Sequence, residues 1–343
     1  MTVAGREGTS GGTGWRRLFR RGPGGTRAGG SGGGRRRGPV LAGLGVVTAG
    51  LLALHRFVPN TPGRLGSLVE SFLFWLGPFT ALLLVCAALR RARTTLLVLL
   101  VPTVAWAVAF GPLLLPAPSP GARELLVVQH NVADDNADPA GTARALADSG
   151  ADLVALQELV EPALDTYRRT LAPRYPYHSV QGTVGLWSRH PLTGARALDI
   201  RPRDITEPWR RALRAEVRSP YGTVAAYVVH LPSVRLGAGG LASARRDESA
   251  ALLGGILAAD RADRIVLAGD LNGTVEDRGL APLTSRLVAP ERGLALSYPA
   301  ALPLARIDQV LARGAHVPAV RTLPATGSDH LPVLVRVVLH GAS

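Results

Sequence analysis

The sequence contains no lysine; all 39 basic residues are arginine. It has a single cysteine, Cys86, so no intramolecular disulfide can form and any folded part must rest on its apolar core. Aromatic residues make up only 5% of the chain. Acid is scarce at one end. Residues 1–39 hold one glutamate against nine arginines, and residues 40–121 one against five. The remaining residues, 122–343, balance 25 arginines with 23 acids. The formal net charge of +14 is therefore divided as +8, +4 and +2 along the chain. The low charge of the last part speaks against a broadly basic, nucleic-acid-gripping surface there.

What is present falls into distinct segments. Residues 1–39 are mostly Gly and Arg, too poor in apolar side chains to build a core, and read as a disordered cytoplasmic tail. An RGG-like nucleic-acid tail is the alternative. Residues 40–115 contain three apolar stretches, at about 40–58, 70–89 and 95–115. They approach the ~20 residues that cross ~30 Å of hydrocarbon, and read as three transmembrane helices. The arginine-rich tail and the Arg90-Arg91-Ala92-Arg93 link belong in the cytoplasm by the positive-inside rule. An odd number of spans then puts the remainder outside the cell. Residues 116–123 read as a short linker, and residues 124–340 as the outward domain.

In that domain short apolar runs alternate with amphipathic ones. Leu125–Val128, Leu153–Leu156, Val224–Val229, Ile265–Ala268 and Val333–Leu339 read as strands, several buried on both faces. Residues Pro139–Ser149, Glu161–Leu171 and Leu241–Asp260 read as helices. The mixture specifies an α/β or α+β domain.

Polar residues collect where the apolar runs end. Asn131, Glu158, His230, Asp270 and Asn272 each follow a run; Asp308 lies inside one; Asp329 and His330 immediately precede the last. Taken singly, such residues are ordinary turn or cap residues. Taken together, they converge on one rim of a sheet and supply a particular chemistry. Asn131, Glu158 and Asp329 offer oxygen to a hard cation such as Mg²⁺ or Mn²⁺. Asp270 can orient and deprotonate water, Asn272 can hold an equatorial oxygen, and His230 and His330 can serve a phosphate. A carboxylate at Asp308 is costly to bury without a partner, and a histidine would offset that cost.

The order Asn131, Gln157-Glu158, His230-Leu231, Gly269-Asp270-Leu271-Asn272, Ile307-Asp308 and Ser328-Asp329-His330-Leu331-Pro332 resembles the endonuclease/exonuclease/phosphatase, or DNase I-like, superfamily. The segment Gly185–Pro191 resembles that superfamily's central strand and turn. The resemblance implies a four-layer α/β/β/α sandwich with its site at one end of two sheets. It implies Mg²⁺ on Glu158 with Asn131 nearby and Asp329 in support. It implies water positioned by Asp270 and steadied by Asn272, His330 oriented by Asp308, and His230 at the phosphate or leaving group. Arg214 is a further phosphate contact or an exposed strand residue. His230 stands where abasic-site endonucleases carry tyrosine, which argues against that repair activity.

The whole arrangement also resembles actinobacterial membrane proteins linked to teicoplanin resistance. That likeness implies hydrolysis of a lipid-linked phosphate such as polyprenyl pyrophosphate. An extracytoplasmic nuclease, a phospholipid phosphodiesterase and a catalytically silent binding module are the alternatives. The expected partners are the membrane and a phosphorylated lipid or other phosphoester, with nucleic acid less favoured.

Overall fold

The computed structural model describes residues 38–121 and 123–340. The expectation of a disordered tail falls almost entirely outside these residues.

The N-terminal helices are α1 (Pro39–Leu54), α2 (Leu65–Ser71), α3 (Leu76–Leu89) and α4 (Arg93–Phe110). Leu83, Ala87 and Leu99 are buried between them, while Val46, Val47, Leu82, Val85, Leu97, Val101, Val104 and Val108 are exposed. Such an apolar outer surface suits lipid rather than water. Gly45 lets α1 close on α4; a Cβ there would lie 2.7 Å from a Leu99 methyl. Two segments, Pro39–Phe57 and Arg93–Leu114, are long and apolar enough to cross a membrane. The expected middle span, about 70–89, is not shown as a straight crossing; it counts as a third span only if a bent pair of helices is taken as one. Its helical stretch is broken between Ser71 and Leu73, where Leu65–Ser71 and Leu73–Leu89 meet at 60°. The 14 residues of α3 by themselves rise only about 21 Å. Just before the break, Glu70 is buried and bonded to Arg278 of the following domain.

The domain follows. In chain order it contains β1 (Glu124–Asn131), α5 (Pro139–Asp148), β2 (Leu153–Gln157), α6 (Ala163–Leu171), β3 (Tyr177–Gln181), β4 (Val184–Ser188) and β5 (Leu192–Ala197). Then come β6 (Ala212–Ser219), β7 (Gly222–His230), β8 (Arg235–Gly237), β9 (Gly240–Ala242), α7 (Ala244–Ala259) and β10 (Ile265–Asp270). The chain ends with α8 (Ala281–Thr284), β11 (Asp308–Arg313), β12 (Ala315–Thr322) and β13 (Val333–Leu339). One sheet has the order β12-β13-β1-β2-β4-β3 and the other β11-β10-β7-β6-β5.

Three apolar layers hold these elements together. Leu125, Val127, Ala155 and Leu186 of the first sheet meet Leu213, Ala215, Val266 and Val310 of the second. Val128, Val154 and Leu156 turn the other way, toward Leu146, Tyr167 and Leu171 of α5 and α6. Tyr227, Ile265 and Leu267 pack outward on Leu253 and Leu257 of α7. Successive strand residues point to opposite faces, and here both faces are covered, which explains the unbroken apolar runs. The result is the expected four-layer α/β/β/α sandwich.

One helix starts later than expected. Leu241 and Ala242 belong to β9, where they pair antiparallel with Leu236 and Arg235 of β8, and the Leu241 N–H bonds the Gly63 carbonyl of the N-terminal part at 2.9 Å. Gly240, at φ +96°, allows that approach; a Cβ would stand 2.1 Å from the Gly63 oxygen.

Candidate active site

Strand pairing alone gathers most of the site. In the parallel pair β1–β2, Asn131 lies opposite Gln157; in β7–β10, Asp270 lies opposite His230; in the antiparallel pair β10–β11, Asp270 faces Asp308. Sheet packing then joins the two sets. The Asn131 amide donates to Glu158 Oε1 at 2.9 Å and to Asp270 Oδ2 at 3.2 Å, and the Gln129 amide donates to Asp308 Oδ1 at 2.7 Å.

His330 is held on several sides. Its Nδ1 lies 2.8 Å from Asp308 Oδ2, and its backbone N–H bonds Ser328 Oγ at 3.0 Å. Ser328 in turn donates to the Asn131 carbonyl at 2.8 Å. Ser297 Oγ donates to Asp308 at 2.6 Å, and the Tyr298 ring lies 4.8 Å from the imidazole. His330 Nε2 points toward Asp270, 3.8 Å from Oδ2. His230 Nε2 lies 3.6 Å from the same oxygen and 3.8 Å from Glu158 Oε1. The Asn272 N–H bonds Asp270 Oδ1 at 2.9 Å, and its side chain donates to the Leu231 carbonyl at 3.0 Å. Glu158 and Asn272 both have left-handed backbones, at φ +60° and +47°, a cost that side-chain placement at functional sites commonly accompanies.

The electrostatics separate the two histidines. Burial disfavours charge on His330, but Asp308 outweighs it and raises the imidazole pKa to about 10. Burial raises Asp308 while His330 pulls it down more strongly, so the two form an ion pair. His230 has no carboxylate at hydrogen-bonding distance; burial and Arg211 lower its pKa to about 3. Burial, with the negative charge of Asp308, pushes Asp270 up to about 7. A buried carboxyl poised near neutrality beside a protonated imidazole is an arrangement suited to acid–base chemistry.

The donor set fits a hard divalent cation. Carboxylate oxygens of Glu158 and Asp270 converge on Asn131, and His230, with Nε2 3.8 and 3.6 Å from them, has both ring nitrogens buried without a hydrogen-bond partner. Asp308 and His330 present atoms within 4.8 Å of Asp270 but are taken up by their own ion pair. Two expected ligands are placed less directly. Asn131 turns its NH₂ to the two carboxylates and its oxygen to the Ala133 N–H at 3.1 Å. Asp329 is mostly exposed, with Oδ1 3.9 Å from His330 Nε2.

Arg214 is neither a phosphate contact nor an exposed strand residue. It is buried on the outer face of β6 and pairs with Asp260 at 2.7 Å. The arginine near the site is Arg211, just before β6. Its charge is drawn to Glu158, Asp270 and Asp134, and its guanidinium lies 5.4 Å from the Trp209 ring centre. Sequence reasoning passed over it, together with Gln129, Ser297 and Tyr298. The available signal for Arg211 was its position at the foot of a strand that begins beside His230.

A sandwich of this kind, with carboxylates and histidines at one end of two sheets, defines a hydrolase of the DNase I-like class. The family model described as Endonuclease/Exonuclease/phosphatase family matches residues 128–330, and the chain belongs to this family. The fold is shared with an endonuclease/exonuclease/phosphatase from Beutenbergia cavernae, at 21% identity and TM-score 0.51, covering 64% of this chain and 72% of that one. It is shared with a second such protein from Bacteroides vulgatus, at 16% identity and TM-score 0.52, covering 63% and 99%. It is also shared with D. rerio TDP2 complexed with a single-strand DNA product, at 17% identity and TM-score 0.52, covering 62% and 98%. No curated protein matches the chain.

Proposed function

We propose that this protein is a membrane-anchored, divalent-metal-dependent phosphohydrolase whose substrate is a phosphate carried by a lipid, with polyprenyl pyrophosphate the first to test. One observation carries the lipid assignment: the catalytic end of the sandwich lies against the N-terminal helices. The Trp75 indole N–H bonds the Leu304 carbonyl at 2.8 Å, in the same loop whose Tyr298 ring packs on His330. Arg278, six residues after Asn272, bonds Glu70 through backbone and side chain at 2.8–2.9 Å. In this reading α1, α3 and α4 lie in the bilayer, the Arg90–Arg93 link is cytoplasmic, and the domain is outside with its site turned back toward the lipid.

Glu158, with Asp270 beside it, would hold the metal, whose chemistry is to polarise the phosphate and neutralise its charge. Asp270 orients water and takes its proton as the water oxygen bonds to phosphorus. Protonated His330, fixed by Asp308, stabilises the phosphoryl oxygens, and Asn272 steadies them. The P–O bond to the leaving group breaks, and a proton supplied from the His330 side compensates the departing oxygen. Arg211 adds a positive charge at the rim for the substrate phosphate.

The test is a phosphate-release panel with the purified full chain over polyprenyl pyrophosphate, DNA and sphingomyelin, with and without EDTA. The expected result is Mg²⁺-supported release from polyprenyl pyrophosphate that EDTA abolishes. Ready nicking of DNA without phosphate release from the lipid overturns the substrate assignment.

A further inference from the structure

Residues 294–305 (Leu-Ala-Leu-Ser-Tyr-Pro-Ala-Ala-Leu-Pro-Leu-Ala) carry no charge, although they form a surface loop. Leu302 is 65% exposed, and Leu304 and Tyr298 are also open to the outside. A single exposed leucine is unremarkable in a soluble protein. Here the loop has three further properties.

First, it is stiff. The Leu304 and Ala305 N–H groups both bond the Tyr298 carbonyl, at 2.9 and 3.1 Å, and Ser297 N–H bonds the Ala305 carbonyl at 2.9 Å. Second, it is tied to the catalytic segment. Ala300 N–H bonds the Asp329 carbonyl at 2.7 Å, Leu331 N–H bonds the Ser297 carbonyl at 2.8 Å, and Ser297 Oγ bonds Asp308. Third, it lies at a definite height on the anchor. Its Leu304 carbonyl receives the Trp75 indole, and Leu294, Leu296 and Leu304 share a cleft with Phe74, Trp75 and Phe110. Phe74, Trp75, Trp106 and Phe110 form one aromatic cluster at the ends of α3 and α4 opposite Arg90–Arg93. Indole-rich clusters at helix ends mark the membrane–water interface. A loop bonded to one of those indoles sits at the level of the lipid headgroups.

We infer that the 294–305 loop is an interfacial element of the active site: it dips Leu302 and Leu304 into the outer lipid surface and holds His330 at the bilayer, so that phosphates are taken from lipids in the plane of the membrane. The inference rests on the membrane-anchored reading above. It adds the surface by which the site meets its substrate and the residues that form that surface. The occupant is the bilayer that holds the chain's own helices. Continuity of the loop with the aromatic cluster and its complete lack of charge both match that occupant.

The experiment uses the full chain in phosphatidylcholine–phosphatidylglycerol vesicles. With Cys86→Ala as background, Leu302→Cys is labelled with an environment-sensitive fluorophore, and Tyr221→Cys, in the turn between β6 and β7 at the far end of the sandwich, serves as control. Phosphatidylcholine spin-labelled near the head of its acyl chain should quench the label at 302 strongly and the label at 221 weakly. Equal quenching at the two positions overturns the inference, whatever the enzyme hydrolyses.

A second arm uses Leu302→Asp/Leu304→Asp. Hydrolysis of vesicle-borne polyprenyl pyrophosphate should fall by at least about tenfold, the factor that lost burial of one or two leucines carries. Hydrolysis of soluble bis(p-nitrophenyl) phosphate should stay at the wild-type rate. Equal loss on both substrates shows a structural role for the loop and overturns the inference. A wild-type protein inactive on both substrates removes the enzymatic reading, while the quenching result still decides where the loop lies.

Discussion

At the scale of single residues, the decisive feature is which polar groups have partners. His330 has Asp308, and the pair is buried beneath Tyr298. Replacing His330 with Ala, or Asp270 with Asn, removes the groups assigned to proton transfer and charge stabilisation. Activity should fall by about 10²–10⁴-fold while circular dichroism stays that of the wild type. Arg214 and Asp260 have the same kind of intimacy without a chemical task. Their side chains are only 9% and 10% exposed, and the Tyr227 hydroxyl also donates to Asp260. Asp260→Ala leaves the buried Arg214 with only the longer, half-exposed pair to Glu216 at 3.3 Å and should cost about 2–3 kcal/mol in denaturant unfolding. Burial raises the Asp260 pKa, but the Arg214 and Tyr227 hydrogen bonds outweigh this and hold it well below 3.8. A depressed folded-state pKa stabilises the protein above the unfolded value, and that gain disappears as pH falls through the folded value. The stability gap between wild type and Asp260→Ala should therefore be full at neutral pH and shrink in strong acid.

At the scale of elements, strand ends were legible and their surroundings were not. Apolar runs placed β1, β2, β7, β10 and β13 within a few residues, because their central residues are buried on both faces; charge enters only at strand ends, as at Glu124 and Asp270, or where it is paired, as Arg336 is with Glu124. The polar residue that ends each run was equally visible. The break between α2 and α3 was not, nor was the contact beside it, in which Glu70 meets Arg278 about two hundred residues later in the chain. Arg278 also donates to the His55 and Val58 carbonyls at 2.8 and 2.9 Å, so one guanidinium ties two N-terminal segments to the loop that leaves Asn272. Arg64 pairs with Asp247 at 2.8 Å, beside Arg246, which bonds Asp277 and the Asn272 carbonyl. Glu70→Ala removes the carboxylate partner of Arg278, leaves it only the His55 and Val58 carbonyls, and should lower stability by about 1–3 kcal/mol. In limited proteolysis of the detergent-solubilised protein, cleavage in residues 274–280 should appear in that variant before it appears in the wild type.

At the scale of the whole molecule, the domain is folded back on the N-terminal helices. The linker runs extended past Arg292, which bonds the Pro116 carbonyl at 2.6 Å, and past Arg336, which bonds the Ser119 carbonyl at 2.9 Å. It delivers the chain to the start of β1, and the strand then returns toward those helices, where Asn131 joins the site. The proposed topology puts this entire domain outside the cell. An alkaline phosphatase fused after residue 121 should therefore be active in the expressing cell, and an inactive fusion reverses the topology.

The sequence by itself determined the sandwich, the apolar segments and the set of catalytic candidates, because burial patterns and strand-end residues are local properties. It also divided the charge, so that the acid-poor N-terminal part carries most of the +14 and the domain little of it. Only the tertiary structure decided that Arg211 rather than Arg214 borders the site, that Asn131 turns its NH₂ to two carboxylates, and that the middle apolar stretch bends. It alone brought the catalytic rim against Trp75. Each of these goes with a partner distant in sequence, and the free energy of burying a charge or an indole N–H depends on whether that partner arrives.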